Sequence, residues 1–223
     1  MEALLAFGAA LLALRLGGDL VRRYRATRRP ELAAWAASLI AYAIASGALA
    51  AGAAGGWSEA TFRVYYLFGG LLTAALLGAG SLLLVGRRWA GPLGLVYVGL
   101  AVGVGLAAPL TTEVGGTSIP EAQAHLEFFP ARLLAVLGNS LGTLAAVGIA
   151  LWTIRRRPAG NGLILAGIVV AAAGSAVAGL GEAQSAAFIA VAAVLLYAGF
   201  VYPIPLKRLS KSFSRGSYSA GRS

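Results

Sequence analysis

Long blocks of apolar residues alternate along the chain with short polar turns, and seven of these blocks are long enough to cross a lipid bilayer. They lie near residues 3–21, 32–54, 62–85, 90–110, 131–154, 161–181 and 184–203. A helix needs about 20 apolar residues to span the hydrocarbon core. No block alternates with period two, and backbone polar groups in lipid must be satisfied within their own segment, which disfavours a barrel. The pattern predicts an all-α protein, a polytopic membrane bundle of seven transmembrane helices.

The charges between the blocks predict the orientation of this bundle. Fifteen of the 18 basic residues follow the first, third, fifth and seventh spans, and the opposite side holds six glutamates with only Arg63 and Arg132. Cytoplasmic loops collect Arg and Lys, so the N-terminus is predicted outside and the C-terminus in the cytoplasm. Because the first span has an acidic start and no basic n-region, it is interpreted as a retained anchor and not as a signal peptide.

The same pattern divides the chain into residues 1–206, the seven-helix domain, and residues 207–223, a tail. The tail is basic and Ser-rich, so it is expected to be disordered and attracted to anionic lipid at the cytoplasmic face. The domain contains a long external loop, residues 111–130. In this loop Ser118 and Glu121 have the spacing of a capping box, which predicts a short helix running to Phe129.

Composition narrows the class of protein further. The chain is 59% hydrophobic and 12% charged, far from a soluble domain. Its net charge of +10 is explained by cytoplasmic loops, so no nucleic acid partner is predicted. With no cysteine and one histidine, neither a cofactor nor a metal site is predicted. Sixteen arginines against two lysines, with abundant Ala and Gly, indicate a GC-rich bacterial genome, and the predicted location is the inner (plasma) membrane.

Two turns share a short sequence pattern that predicts a repeat. Residues 87–102 and 156–170 both give R-R-x-A-G followed, with one gap, by G-L-[VI]-x-x-G-[LI]-x-V. Spans three-four and five-six would then be equivalent hairpins, and the first two spans fit the scheme loosely. One interpretation is three hairpins plus one helix. A three-plus-one-plus-three arrangement also fits the span count.

Arg15 and Asp19 are the first candidate site residues, since both lie inside the first span and share a helical face at i, i+4. One interpretation is that they snorkel to the headgroups as a local pair. The other is that they line a polar pocket open to the cytoplasm.

Mild polar residues on the other spans supply the second set of candidates, Tyr42, Asn139, Thr143 and Tyr197. One interpretation is interhelical hydrogen bonding, together with Ser38, Ser46, Thr73 and Tyr97. The alternative is that these four line a cavity for a small, mostly apolar ligand. The glycine pairs Gly99/Gly103 and Gly138/Gly142 predict close helix packing.

The external loop holds the only acid–base cluster on its side, Glu113, Glu121 and His125. A zinc site or a lipid-modifying enzyme built on it is the less favoured interpretation, and a solvated amphipathic lid the favoured one. No pair of deep carboxylates and no His-rich motif accompany it, so a non-enzymatic protein is predicted.

Residues 63–88, RVYYLFGGLLTAALLGAGSLLLVGRR, carry Y-x-x-G on entering the third span and G-x-x-x-L before the arginine pair. In this stretch the chain resembles uncharacterised seven-span integral membrane proteins of GC-rich Gram-positive bacteria. The resemblance implies the seven-span architecture and no particular activity.

Together these observations favour a membrane module that senses, binds a lipid or a small apolar ligand, or scaffolds a partner. The alternative is a small transporter or flippase acting as an oligomer. An ion-coupled pump is disfavoured because no acid lies in the middle of spans two to seven. The expected partners are membrane lipids, a small apolar ligand and further copies of the chain.

Overall fold

The computed structural model describes residues 2–155 and 158–177, together with 191–192, 194–196 and 198–199. Within this part the chain is helical, and the only β pairing there is an isolated bridge between Leu110 and Leu126. The helices are α1 (Glu2–Thr27), α2 (Pro30–Gly55), α3 (Glu59–Tyr65), a π-helical segment (Tyr66–Leu72), α4 (Thr73–Leu84), α5 (Ala90–Ala107), α6 (Ala122–His125), a second π-helical turn (Phe128–Arg132), α7 (Leu133–Thr153) and α8 (Pro158–Val177).

Five long helices in the described residues are apolar enough to cross a membrane. They comprise Ala3–Thr27, Pro30–Gly55, Glu59–Leu84, Ala90–Ala107 and Phe128–Thr153. They correspond to the first five predicted spans, and the apolar helices are those of a membrane protein. The helix α8 covers most of the sixth predicted span, whereas most of the seventh, and the whole tail, lie outside the described residues.

Two local predictions differ from the structure. The first helix continues to Thr27, six residues past the apolar block, because Arg22, Arg23 and Arg25 are good helix formers once they reach water. In the external loop the predicted capping box is wrong, since Glu121 and not Ser118 precedes the helix, which is a single turn, Ala122–His125. The helix ends there because Leu126 turns inward, is 4% exposed and pairs with Leu110.

The bundle has a simple order of neighbours. The helices α1 and α2 form a hairpin, α2 packs on α4, α4 packs on α7, and α7 packs on α8. The closest crossing joins α4 and α7, where a Cβ atom on Gly78 would lie 2.5 Å from Cα of Gly142. The predicted close packing at Gly142 is therefore confirmed.

The helix α5 lies at the edge of this bundle. Its outer half is packed, since Ala101 is fully buried and a Cβ atom on Gly105 would lie 3.0 Å from the Leu67 side chain. Its other half contacts α4 through Ala90, which is 2% exposed, whereas the Leu93 and Val96 side chains are 58% and 61% exposed. The predicted close packing at Gly99 and Gly103 is wrong within the described part of the chain, because a Cβ atom there would meet nothing within 4 Å.

Candidate functional site

The π-helical segment Tyr66–Leu72 is the polar centre of the bundle. In a π-helix each N–H bonds the carbonyl five residues back, so the backbone bulges and some carbonyls are left to accept other donors. Here the Thr73 N–H and the Thr73 hydroxyl both donate to the Phe68 carbonyl, the hydroxyl at 2.7 Å. Carbonyls at membrane depth must find partners inside the protein.

Neighbouring helices supply those partners. Ser38 of α2 donates to the Thr73 carbonyl at 2.7 Å, and the Asn139 amide of α7 donates to the Gly70 carbonyl at 2.8 Å. The Tyr97 hydroxyl of α5 lies 3.0 Å from the Leu71 carbonyl and 3.1 Å from the Leu134 carbonyl. Two helices are thus tied to the segment, and α2 is tied to the first residue of α4 directly after it, which is the hydrogen-bonding role predicted for these side chains.

The predicted cavity residues are not brought together. Tyr42 borders a small void of about 40 Å³ with Ser38 and Thr73, and its hydroxyl is hydrogen-bonded to Ser46. Asn139 and Thr143 border neither this void nor the groove described below. The segment and α4 stand between α2 and α7, so Asn139 meets a backbone carbonyl instead of Tyr42. Tyr197 lies outside the described residues.

Arg15 and Asp19 take separate places on α1. Arg15 is exposed, and Asp19 is hydrogen-bonded to Arg22, three residues further on. Neither side chain borders the void or the groove. In the part of the chain that the structure describes, no ion pair joins Arg15 to Asp19.

A groove of about 290 Å³ lies between α4, α5 and α7 and is open on one side. Gly78, Gly138 and Gly142 line it, although a Cβ atom on each would meet a neighbouring helix and not the open space. Its walls are aliphatic, including Ala79, Leu93, Leu100 and Leu141, and Trp89 stands at one end. The sequence signal for it was the glycine set, which predicted close packing and not the space beside the packed helices.

The groove exists because α5 packs on α4 and on the π-helical segment but makes few contacts with α7. Arg63 of α3 donates from Nη1 to the carbonyls of Gly105, Leu106 and Ala108, at 2.9–3.3 Å, and so caps the C-terminus of α5. Its Nε lies 2.8 Å from Glu59. Tyr97 ties the middle of α5 to the segment, and the N-terminal half of α5 contacts α4 through Gly94, where a Cβ atom would lie 3.5 Å from that of Ala79.

The loop of residues 111–130 is folded over the N-terminal end of α3. The Thr112 hydroxyl lies 2.7 Å from Nδ1 of His125, whose ring meets the Phe62 ring edge-on at 5.5 Å. Glu113 and Glu121 are exposed. Among the described residues no three Asp, Glu, His or Cys side chains lie close enough to hold a metal ion. The loop therefore offers a half-buried histidine that is held in place by neighbours, without an assembled acid–base site.

The groove has the size and shape of a ligand site, and it belongs to a helical membrane protein. Comparisons with protein-family models, curated proteins and solved structures find no match to this chain.

Proposed function

We propose that this chain is a non-enzymatic, multi-pass module of a bacterial plasma membrane that senses, or scaffolds a partner, through an apolar chain held in the groove between α4, α5 and α7. The observation that carries the proposal is the groove itself, at about 290 Å³ and almost wholly apolar. Ligand pockets are usually concave, mostly apolar and preformed.

The lining selects by shape and not by hydrogen bonding. The Tyr97 hydroxyl is a polar group of the lining, but it already donates to backbone carbonyls of the protein, those of Leu71 and Leu134. Because lipid tails are as apolar as the walls, a bound chain gains mainly van der Waals contact with the aliphatic side chains of the groove. A linear acyl chain fits this requirement better than a polar metabolite.

The proposed setting is a seven-span bundle with its N-terminus outside and its C-terminus cytoplasmic, built from three hairpins and a terminal helix. Two observations support the hairpin repeat. The turn after α4 and the turn after α7 are both short, and α5 and α8 begin one residue apart in the aligned pattern, at Ala90 and Pro158. The described residues after α8 approach it closely, since a Cβ atom on Gly167 would lie 2.9 Å from the Leu196 side chain.

Native mass spectrometry of the purified chain tests the proposal. We expect a retained lipid, and we expect Ala79→Phe, which places a ring in the groove, to remove it. The matched control is Ala37→Phe, because Ala37 is exposed on α2 away from the groove. Ala145→Phe repeats the test from the α7 wall should Ala79→Phe fold poorly. Loss of lipid from all three variants alike, or from none, would refute the proposal.

A second candidate function, a small transporter or flippase acting as an oligomer, is favoured by one observation. Gly99 and Gly103 lie one turn apart on α5, both exposed, with nothing within 4 Å of a built Cβ. Such a small-xxx-small face is typical of helix–helix contacts in lipid. The same mass spectra decide this point, since a monomer in mild detergent removes the support for an oligomer.

A further inference from the structure

A well-defined turn joins α4 and α5, two of the three helices that border the groove. The helix α4 ends in a Schellman motif, in which Gly86 has φ +83°, the Gly86 N–H bonds the Leu83 carbonyl and the Arg87 N–H bonds the Leu82 carbonyl, both at 3.0 Å. Only glycine adopts this left-handed conformation without cost. The turn therefore presents Arg87 and Arg88 at a fixed position beside the end of the groove.

These two arginines have no carboxylate partner in the described part of the chain. Arg22, Arg29 and Arg63 each hold an acidic side chain, at Asp19, Glu31 and Glu59. Arg87 and Arg88 are both exposed and take part in none of these pairs. Their guanidinium groups remain available for an anion, and an arginine fork matches the geometry of a phosphate.

One end of the groove lies directly after Arg87 and Arg88 in the chain. Trp89 follows Arg88 directly, is 56% exposed and lines the mouth of the groove, a position that suits an indole at the membrane–water interface. From Trp89 to Leu100, the last α5 residue in the lining, the helix rises about 16 Å. One leaflet of hydrocarbon is about 15 Å thick. The groove therefore has the length of one acyl chain, from the headgroup level to the bilayer midplane.

We infer that the groove and this turn form a site for an anionic phospholipid, with its phosphate on Arg87 and Arg88 and one acyl chain in the groove. The lipid comes from the leaflet on the side of the turn, which the proposed orientation makes cytoplasmic. This inference rests on the proposed function and adds the headgroup. A choline headgroup would bring a cation to the arginines, whereas the glycerol of phosphatidylglycerol brings none, so the site prefers a lipid with net negative charge.

Lipid competition on the full-length chain tests the headgroup. The purified, delipidated protein is given an equal mixture of dioleoyl phosphatidylglycerol and dioleoyl phosphatidylcholine, and retained lipids are counted by native mass spectrometry. We expect roughly a five- to thirtyfold excess of phosphatidylglycerol, since one or two basic residues near an anionic headgroup give this range. The double variant Arg87→Gln/Arg88→Gln should retain as much lipid but lose the excess.

The control is Arg23→Gln/Arg25→Gln, a pair of exposed arginines at the end of α1, on the same end of the bundle. This variant should keep the preference for phosphatidylglycerol. Equal binding of both lipids by the wild type, an excess that survives in Arg87→Gln/Arg88→Gln, or an equal loss in both double variants would overturn the headgroup assignment while leaving the groove. Failure of Ala79→Phe to displace lipid would instead overturn the groove, and with it the proposed function.

Discussion

On α1, the direction of side chains along a helix decides which arginine Asp19 holds. Helical side chains lean toward the N-terminus, so Arg22 leans back over Asp19, whereas Arg15 leans away from it. Acid-before-base order is also the better one on a helix. The structure contains this order at Asp19–Arg22 and at Glu59–Arg63. The spacing of Arg15 and Asp19 predicted a shared face, which is correct, but spacing alone does not give the partner.

Replacing Arg15 by Leu should therefore change stability little. Arg15 is exposed and takes part in no ion pair within the described part of the chain, so its loss leaves no buried countercharge behind. In a double-mutant cycle of Arg15→Leu and Asp19→Leu, followed by melting in detergent, we expect a coupling below about 0.5 kcal/mol. The matched cycle of Arg22→Leu and Asp19→Leu should give about 0 to 1 kcal/mol. A cost of about 3 kcal/mol or more for Arg15→Leu alone would mean that the pair is buried against other helices and belongs to a site.

At the scale of the helices, hydropathy predicted the long apolar helices but not the π-helical segment Tyr66–Leu72, which lies inside the third predicted span. The length of an apolar block can be read directly from the sequence, so the five long helices match the predicted blocks. The π-helical segment depends instead on donors from Ser38, Tyr97 and Asn139, which are distant in sequence. A single sequence carries no record of those contacts, although it does show that the polar residues must find partners.

The groove was missed for a related reason. Gly138 and Gly142 look alike in sequence to Gly99 and Gly103, yet the first pair lies at a helix crossing and the second faces outward. Which small residues are covered depends on the neighbours of each helix, since Gly142 meets Ala74 of α4 and Gly138 meets Tyr97 of α5. Arg63 caps the C-terminus of α5 through three backbone carbonyls. That capping role also explains why an arginine lies on the side of the bundle where basic residues are otherwise scarce.

A pair of substitutions on α7 tests whether the π-helical segment is held by its side-chain donors. Asn139→Leu keeps the size of the side chain but removes the donor to the Gly70 carbonyl. We expect the free energy of unfolding to fall by about 0.6 to 2 kcal/mol, the range for interhelical hydrogen bonds in membranes. The control is Thr143→Val, one turn along α7, where the described residues show no hydrogen bond to the half-buried side chain. Equal effects of the two substitutions on chemical denaturation in mixed micelles would show that Asn139 does not bind the segment.

At the scale of the whole molecule, the helix order sorts the charged groups by end. In the described chain Arg23, Arg25, Arg87, Arg88 and Arg155 lie at one end and are exposed. At the other end Arg63 is occupied by Glu59 and the α5 carbonyls, and Arg132 lies 5.7 Å above the Phe128 ring. Arg63 and Arg132, the two basic residues on the side predicted to be outside, thus contact other groups of the protein. This supports the prediction that the end rich in exposed arginines is the cytoplasmic one.

The orientation and the span count follow from two separate measurements. The chain contains no cysteine, so one introduced thiol is the only target of a membrane-impermeant maleimide. Thr117 and Thr27 are both exposed, in the external loop and at the end of α1. Thr117→Cys should label in intact cells and Thr27→Cys only after permeabilisation. The reverse labelling pattern would show that the bundle has the opposite orientation.

The number of membrane crossings is decided by a fluorescent reporter fused after Ser223. Six crossings, the five long helices and α8, would leave the C-terminus outside, where such a reporter stays dark. A seventh crossing returns it to the cytoplasm, and because basic residues Lys207, Arg208 and Lys211 follow the last apolar block, we expect a bright cytoplasmic reporter.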